Sequence, residues 1–341
     1  MKDTKVTKRK TDHIQINLRK DVSSDLTSGL EHYHFLHNAL PEINLKEIDT
    51  STKFLTKTLK FPLLISSMTG GTEEGQKINH ALALAAAHFG IAMGVGSQRA
   101  AIDDPGSMDT FRVRDIAPDI LLFANLGAVQ LNYGFTIDQC RKVVDSISAD
   151  GLILHLNPLQ EALQPEGETN FSGLFTKIEL ICKHLGKPVI VKEVGWGISE
   201  TVATQLMNAG VSAIDVAGAG GTSWSQVEMH RSDSKSFQRI AADFKSWGIP
   251  TSESIRLVRS GHPNLPIIAS GGIRTGLDIA KCIALGANLG GIAGPLLRAA
   301  SISDAELHTL IDEIKTELAI TMFGVGAPNI PSLQKVPIIF G

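Results

Sequence analysis

Along most of the chain, short apolar runs alternate with longer segments whose apolar residues recur at helical spacing. The apolar runs are PLLISSM (62–68), IAMGVGS (91–97), ILLFANLG (120–127), GLILHLN (151–157), PVIVKEVG (188–195), SAIDVAG (212–218), PIIASGG (266–272) and LGGIAGP (289–295). Between two of them, Val202, Leu206 and Ala209 share one helical face, and Gly210 gives a helix-stop signal. The pattern predicts eight successive strand–helix units.

Nearly continuous apolar strands are typical of a parallel sheet covered by helices. Eight units are the number that closes a (β/α)8 TIM barrel, and an open doubly wound sheet, which seldom contains eight such regular units, is the alternative. Residues 1–60 are then an N-terminal arm and cap, and residues 61–341 form the barrel, in a single structural domain overall. A long insertion, residues 219–248, follows the sixth predicted strand, and its two tryptophans favour a functional lid.

The composition narrows the class of protein. Of 341 residues, 43% are hydrophobic and 20% are charged, which permits a large core and excludes extensive disorder. The formal net charge of −3 argues against a protein that coats nucleic acid. Cys140, Cys182 and Cys282 form no CxxC motif, which predicts buried free thiols in a reducing compartment. The basic N-terminus lacks an apolar segment and no apolar run is long enough for a bilayer, so we expect a cytoplasmic protein.

The last two predicted units end in small residues that favour a phosphate site. ASGGIRTG (269–276) and GIAGPLLRAA (291–300) each run from a strand through small residues into a helix. Gly271 and Gly272 leave backbone N–H groups uncovered, and Arg274 adds a positive charge. One glycine pair could simply allow a tight turn. Two successive motifs, at the strands where this fold commonly binds phosphate, favour a phosphate ligand.

The other predicted strand ends carry small polar groups instead of a catalytic triad. These residues are Ser66, Ser67, Met68, Thr69, Ser97, Gln98, Arg99, Asn125, Lys192, Glu193 and Thr222. Serine, threonine and asparagine can bond the pyrimidine edge of a flavin, and Lys192 can stabilise charge near its ring carbonyl. For Lys192, a structural ion pair and a Schiff base are the alternatives. A flavin fits the whole set better than a Schiff base does.

Eight motifs along the chain resemble those of type 2 isopentenyl-diphosphate isomerases. They are RKTDHI (9–14), SSMTGG (66–71), GVGSQRA (94–100), NLGAVQL (125–131), HLNPLQEALQPEG (155–167), VKEVGWGIS (191–199), DVAGAGGTSW (215–224) and ASGGIRTG (269–276). The similarity extends from Arg9 to beyond Leu297, nearly the whole chain. The phosphate motifs are shared with many FMN barrels, whereas SQRA, HLNPLQE and RKxDHI together are far more specific.

The resemblance implies an enzyme that interconverts isopentenyl diphosphate and dimethylallyl diphosphate in isoprenoid biosynthesis. It implies reduced FMN, Mg2+ and NAD(P)H as reductant, although the reaction is redox-neutral. It also implies a cytoplasmic homotetramer or octamer in which the N-terminal arm reaches a neighbouring subunit's site. No nucleic acid or membrane partner is expected.

The resemblance also assigns roles to residues of this chain. FMN should contact Ser67, Met68, Thr69, Ser97, Asn125, Lys192, Thr222, Gly271, Gly272, Ile273, Arg274, Ala293 and Gly294. The diphosphate substrate should meet Arg9, Lys10, Ser97, Gln98, Arg99, His155, Asn157 and Gln160. Gln160 and His155 are the candidate catalytic residues, and Glu161 is the candidate Mg2+ ligand. No role is assigned to Glu228 through Ser234.

Physical chemistry supports several of these roles. A diphosphate requires several cations, which Arg9, Lys10 and Arg99 together with Mg2+ provide, although a basic N-terminus is commonly a solvated tail. His155 and Asn157 are two residues apart and share one strand face, which favours a site over a satisfied core histidine. One carboxylate, Glu161, fits Mg2+ only if substrate oxygens complete its ligands.

The sequence shows no obvious acid–base pair, so we expect the flavin to supply that chemistry while Gln160 relays or orients the proton. An FMN-dependent 2-hydroxy-acid oxidase is the alternative with the same fold. It needs a histidine base beside an arginine, and Arg274 has no adjacent histidine. A non-catalytic flavin- or phosphate-binding barrel is the alternative from another class.

Overall fold

A computed structural model of the chain describes residues 5–341, with side chains from Arg9 onward. The strands are β1 (Tyr33–Phe35), β2 (Thr52–Phe54), β3 (Lys57–Leu59), β4 (Leu63–Ile65), β5 (Ala92–Gly94), β6 (Leu122–Gly127), β7 (Gly151–Leu156), β8 (Val189–Glu193), β9 (Ala213–Asp215), β10 (Ile267–Ser270), β11 (Leu289–Ile292) and β12 (Ile338–Phe340). The helices are α1 (Lys5–Arg19), α2 (Glu73–Phe89), α3 (Arg99–Asp103), α4 (Ile137–Ser146), α5 (Pro158–Ala162), α6 (Leu174–His184), α7 (Glu200–Asn208), α8 (Trp224–Arg231), α9 (Lys235–Asp243), α10 (Thr251–Gly261), α11 (Gly276–Ala284), α12 (Gly294–Ile302), α13 (Asp304–Gly324) and α14 (Ile330–Leu333). Residues 1–4 of the predicted arm lie outside the described residues.

Strands β4 to β11 form a closed parallel barrel, in which β11 pairs with β4 to complete the ring. Every barrel strand lies inside one of the eight predicted apolar runs, and at least one helix follows each strand along the chain. The predicted (β/α)8 barrel is therefore confirmed, and the open-sheet alternative is wrong.

The barrel strands are buried on both faces, which explains their continuous apolar sequences. In β4, Leu64 packs in the cluster inside the barrel, whereas Leu63 and Ile65 pack in the larger cluster between strands and helices. This alternation follows from the two-residue period of a strand. All six residues of β6 are buried, because one face of the strand packs inside the barrel and the other packs against helices.

The first sixty residues contribute to both ends of the barrel. The β2–β3 hairpin inserts Phe54 and Leu59 into the interior cluster. Lys57 donates to the carbonyl oxygens of Asp119 and Ile120, just before β6, so the hairpin covers the amino-terminal end of the barrel. Helix α1 contacts the loops at the carboxyl-terminal end, and β1 pairs antiparallel with β12.

The insertion after the sixth barrel strand folds into α8, α9 and a short 3-10 turn at Phe244–Ser246. Trp224, at the start of α8, packs edge-on against His13 of α1, with ring centroids 5.1 Å apart. The insertion thereby joins α1 at the mouth of the barrel.

The three thiols are free: Cys140 and Cys282 are buried, and Cys182 is half-buried. Burial raises the pKa of Cys140 to about 12, so this thiol is unreactive at neutral pH. Among the described helices, none combines the length and hydropathy that a membrane span requires.

Candidate active site

A cavity of about 340 Å³ opens where the barrel strands end, within the usual size range of small-molecule sites. Its wall combines strand ends with α1 and the first residues of the insertion. All thirteen residues predicted to contact FMN line it: Ser67, Met68, Thr69, Ser97, Asn125, Lys192, Thr222, Gly271, Gly272, Ile273, Arg274, Ala293 and Gly294. Seven of the eight predicted substrate residues also line it, together with Glu161.

Part of the cavity wall carries buried polar atoms that lack a hydrogen-bond partner among the described residues. They are Ser66 Oγ, Ser67 Oγ, Thr69 Oγ1 and Asn157 Oδ1. A buried polar atom without a partner costs free energy, on the order of 1–3 kcal/mol. A bound polar ligand would satisfy these atoms, and three hydroxyl groups within four residues after β4 suit the heteroatoms of a flavin ring.

The phosphate loops, residues 269–276 and 291–300, bring several small residues to the cavity wall, among them Gly271, Gly272, Ala293 and Gly294. Gly271 and Gly272 have φ values of 104° and 74°, a region that side-chain-bearing residues rarely adopt. A Cβ atom on Gly271 would lie 2.0 Å from the carbonyl oxygen of Gly218, so only glycine fits there. Thr251 Oγ1 donates to the Gly271 carbonyl at 2.6 Å and fixes the turn. Arg274 is exposed, and exposed Arg298 of α12, which sequence analysis missed, also lines the cavity.

Lys192 emerges from β8 into the cavity and also forms a buried ion pair. Its Nζ lies 3.6 Å from Asp215 Oδ2 and donates to the Glu193 carbonyl at 2.9 Å. Asp215 is completely buried, and its other oxygen accepts a hydrogen bond of 2.6 Å from Ser270. The ion pair and the cavity contact thus coexist, and Asp215 is a partner that sequence analysis did not identify.

His155 is held as a neutral imidazole. Its Nδ1 lies 2.9 Å from Asn125 Oδ1, an oxygen that can only accept, so Nδ1 carries the proton and Nε2 is left as an acceptor. Burial lowers the pKa of His155 to about 3, and the charges of Lys192, Arg9, Lys10 and Arg99 add to that effect. At neutral pH this histidine therefore orients other groups more readily than it donates a proton.

Three basic residues converge where α1 meets the barrel loops. Arg9 Nη1 donates to Gln164 Oε1 at 3.1 Å, and Lys10 Nζ donates to the carbonyl oxygens of Gly70 and Ser97 at 2.9 and 2.6 Å. Burial and the charge of Arg9 lower the pKa of Lys10 to about 7. Burial and the charge of Arg99 also lower the pKa of Arg9. Burial is the larger cause of both shifts and repulsion between the cations adds to it, and an anionic ligand would oppose both effects.

Glu161 is buried in α5, the short helix that follows β7. Its Oε1 accepts from Asn157 Nδ2 at 2.9 Å, and its Oε2 accepts from the backbone N–H of Glu168 at 2.7 Å. Among the described residues, no group of three or more His, Cys, Asp and Glu side chains could hold a metal ion. A Mg2+ ion at Glu161 would therefore need waters and ligand oxygens, as this cation commonly does.

Gln160 is the cavity-lining member of a buried amide–carboxylate pair. Its Nε2 donates to Glu228 Oε1 at 3.1 Å, and the same oxygen lies 3.2 Å from His13 Nε2. Arg231 donates to the other oxygen of Glu228. Burial raises the pKa of Glu228, but the hydrogen bond and charge of His13 and the charge of Arg231 bring it below its ordinary value. Glu228 is therefore ionised at neutral pH despite being buried.

Glu228 belongs to the segment to which sequence analysis assigned no role. One sequence signal could have found it, because Trp224 and Glu228 are four residues apart and share one face of α8. Both contact His13, which RKTDHI already placed in a motif.

Gln98 corrects one prediction, because it does not line the cavity. It is completely buried; its Nε2 donates to the Val143 carbonyl at 3.1 Å, and its Oε1 accepts from the Asn125 backbone N–H at 3.1 Å. A side chain committed to both bonds supports Asn125 instead of contacting a substrate. Helix α1 lies over the barrel of its own chain, and the passage of the arm to a neighbouring subunit's site stays a prediction.

Comparison with known proteins agrees with this geometry. A family model described as FMN-dependent dehydrogenase matches residues 156–338. The isopentenyl-diphosphate delta-isomerase of Rickettsia bellii is 52% identical over 331 residues, covering 97% of this chain and 97% of that protein. The isopentenyl-diphosphate delta-isomerase of a Nostoc species is 53% identical over 327 residues, covering 96% and 93%.

Solved structures share the fold at low sequence identity. A mandelate oxidase with a monooxide FMN adduct superposes with a TM-score of 0.66 at 15% identity, covering 97% of this chain and 93% of that chain. A mandelate oxidase with benzoyl-formic acid gives a TM-score of 0.69 at 16% identity, covering 98% of each chain. At these identities the likeness concerns the fold alone.

Proposed function

Because the chain belongs to the FMN-dependent isopentenyl-diphosphate delta-isomerases, we propose that it interconverts isopentenyl and dimethylallyl diphosphate with reduced FMN and Mg2+ in isoprenoid biosynthesis. The reaction adds a proton to the terminal carbon of the alkene and removes one from the CH2 group on the other side of the double bond, so that the double bond moves by one position. The observation that carries the proposal is one cavity whose wall brings half-buried cations together with Gln160, which donates a hydrogen bond to Glu228.

The hydroxyl groups without partners and the glycine turns fit FMN. Ser67, Thr69 and Asn125 would bond the ring, Lys192 would place a cation beside it, and Gly271 to Arg274 with Ala293 and Gly294 would bind the phosphate. When bound, a reduced flavin supplies an electron-rich ring that stabilises positive charge and a ring nitrogen that can carry a proton. NAD(P)H is the reductant we propose.

The diphosphate would lie among Arg9, Lys10 and Arg99. Their donors are near the cavity surface, and the lowered pKa of Lys10 supports an anionic ligand there. Glu161 would bind Mg2+ from the protein side, with phosphate oxygens as further ligands.

Gln160 and Glu228 are placed to control a proton near the alkene. Glu228 is ionised, so its Oε1 can accept a proton, and Gln160 holds that oxygen from the cavity side. His13 contacts the same oxygen from α1 and completes a path for the proton away from the cavity. Neutral His155 would orient the substrate through Nε2.

The 2-hydroxy-acid oxidase alternative rests on the fold alone. That reaction needs a histidine base beside an arginine that binds the substrate carboxylate. Arg274 is exposed and has no histidine next to it in the sequence.

The test is to purify the protein with its flavin, reduce it anaerobically with NADPH or NADH, and follow isopentenyl diphosphate by NMR with Mg2+ or with EDTA. We expect dimethylallyl diphosphate only when the flavin is reduced and Mg2+ is present. Oxidation of mandelate or lactate by the oxidised protein, without isomerisation, would establish the oxidase instead. A colourless protein that binds no FMN would exclude both activities as proposed.

We further propose a cytoplasmic homotetramer or octamer in which α1 also serves a neighbouring site. Light scattering coupled to size-exclusion chromatography measures the assembly. Mixing an Arg9→Ala variant with a variant inactive at Glu228 tests the sharing, since mixed assemblies recover activity only if arms cross between subunits.

A further inference from the structure

Arg99 differs from the other two cations of the cavity because it already has a carboxylate partner. Its Nη1 donates to Glu168 Oε2 at 2.9 Å, and its Nη2 donates to Oε1 at 2.6 Å. Gln130 Nε2 donates to Oε2 of the same carboxylate at 2.9 Å. The side chains of Arg99 and Glu168 are only 25% and 15% exposed, so this bidentate pair is partly desolvated and strong.

Arg9 and Lys10, in contrast, donate to neutral oxygens of Gln164, Gly70 and Ser97. Among the described residues, neither has a carboxylate within salt-bridge distance. The function proposed above accounts for Arg9, Lys10 and Arg99 as a diphosphate site, but it leaves the carboxylate of Glu168 without a role.

Glu168 also contacts the proposed metal ligand. Its backbone N–H donates to Glu161 Oε2 at 2.7 Å, so one residue links the arginine of the anion site to the carboxylate of the metal site. With Lys10 protonated, Arg9, Lys10 and Arg99 carry three positive charges and Glu161 and Glu168 carry two negative ones, which leaves one positive charge for an incoming diphosphate. The site therefore lacks the positive charge to balance a metal-free diphosphate, whereas its single positive charge matches the smaller negative charge of the Mg2+ complex.

We infer that Glu168 is a specificity-determining residue: it makes anion binding depend on a divalent cation, so that the cavity selects a diphosphate as its Mg2+ complex. The inference rests on the proposed function, because it takes the cation-rich region to be the diphosphate site. Glu168 acts through Arg99 and does not line the cavity, so it is a positioning residue and not a catalytic one.

The test uses the FMN-loaded protein and inorganic pyrophosphate as the probe, with dissociation constants from calorimetry in Mg2+ and in EDTA. Glu168→Gln removes the charge and keeps an oxygen that Arg99 can bond. We expect Glu168→Gln to bind metal-free pyrophosphate about tenfold more tightly than the wild type, and its Mg2+ dependence to shrink by the same factor. In Mg2+ the two proteins should differ by less than about threefold.

Glu168→Asp and Glu73→Gln are the controls. Glu168→Asp keeps the charge and should keep the Mg2+ dependence of the wild type. Glu73 lies outside the cavity wall and pairs with Lys77, and its side chain is 80% exposed, so Glu73→Gln should leave metal-free binding unchanged.

Equal affinity of wild type and Glu168→Gln for pyrophosphate in EDTA would overturn the inference. A Glu168→Gln variant whose affinity for pyrophosphate is weakened equally in EDTA and in Mg2+ would also overturn it. Failure of pyrophosphate to bind any variant would also overturn it. Absence of isomerase turnover, with Mg2+-dependent pyrophosphate binding and the Glu168→Gln effect intact, would reject the proposed function and leave the selectivity of the site standing.

Discussion

In each phosphate loop, the backbone groups that form the site are close together in the sequence. In the charged network, the side chains that meet come from residues that are far apart in the sequence. Here the charged network means Arg9, Lys10, His13, Arg99, Gln160, Glu161, Glu168 and Glu228. Gly271 and Gly272 follow β10 directly, and their conformation depends on glycine itself. In the charged network, His13 meets Glu228 across 215 positions of the chain.

This difference has a functional consequence. A phosphate that occurs in many ligands can be bound by backbone N–H groups, which any sequence with the right glycines supplies. Discrimination among ligands and control of a proton require particular charges at particular distances. We therefore expect the phosphate loops to be common to FMN barrels and the charged network to carry the chemistry that we propose for this chain.

The largest effect is expected in the charged network, from Glu228→Gln. Removing the carboxylate that can accept a proton should lower kcat by about 10²–10⁴-fold, the usual range for an acid–base group. FMN content and pyrophosphate affinity should be retained, because Glu228 does not line the cavity. Steady-state kinetics with the reduced enzyme provide the measurement. Glu253→Gln, which breaks an exposed pair with Arg256, is the control and should keep kcat; wild-type kcat in Glu228→Gln would show that the acid–base group lies elsewhere.

The next effect concerns the phosphate loops. Gly271→Ala adds a Cβ atom 2.0 Å from the Gly218 carbonyl at a φ of 104°, with strain of about 1–3 kcal/mol or more. FMN affinity should fall by up to about a hundredfold, seen as loss of visible absorbance on purification. Gly186→Ala is the control, since φ is 73° there but no atom lies near the added Cβ. A Gly271→Ala protein that is purified with its full content of FMN would contradict the steric requirement for glycine at this position.

A smaller effect is expected from the titration of Lys10. Its pKa in the folded protein is about 7, so the free enzyme loses this positive charge as pH rises through that value. Since kcat/KM reports the free enzyme, it should fall by up to about tenfold per pH unit above pH 7. Lys10→Arg stays charged, so this decline should disappear in the variant. A decline of equal size in Lys10→Arg would assign the titration to another group.

The smallest effect on catalysis is expected for Gln98, although the residue is adjacent to Arg99. Gln98→Ala removes hydrogen bonds to Val143 and Asn125 and should lower the free energy of unfolding by about 1–3 kcal/mol. The KM for isopentenyl diphosphate should change by less than about threefold, because the loss is structural. Chemical denaturation and steady-state kinetics measure the two quantities. A large rise in KM with unchanged stability would restore the direct substrate contact that was first predicted for Gln98.

Sequence reasoning succeeded where the pattern is local. The barrel strands follow from continuous apolar runs, and the phosphate loops follow from glycines directly after strands. All thirteen predicted FMN residues line the cavity because strand ends of a parallel barrel meet at one rim.

Sequence reasoning failed where a role depends on a tertiary partner. In the sequence, Glu228 and Glu168 look like ordinary charged residues. Their roles follow from the contacts that α8 makes with α1 and that Glu168, after α5, makes with Arg99. Gln98 lies inside a motif, but the direction of its side chain is set by Val143, 45 positions away. Neither a partner nor a side-chain direction is encoded in spacing alone, so only the folded chain shows them.

The central claim is that one cavity uses reduced FMN, Mg2+ and the Gln160–Glu228 pair to move protons on an isopentenyl diphosphate. Its most direct test is deuterium incorporation from D2O into isopentenyl and dimethylallyl diphosphate by the anaerobically reduced protein, analysed by mass spectrometry. The account predicts rapid incorporation in the wild type with Mg2+, and incorporation slowed by about a hundredfold or more in Glu228→Gln. Dimethylallyl diphosphate formed without solvent deuterium, or equal incorporation in both proteins, would contradict it.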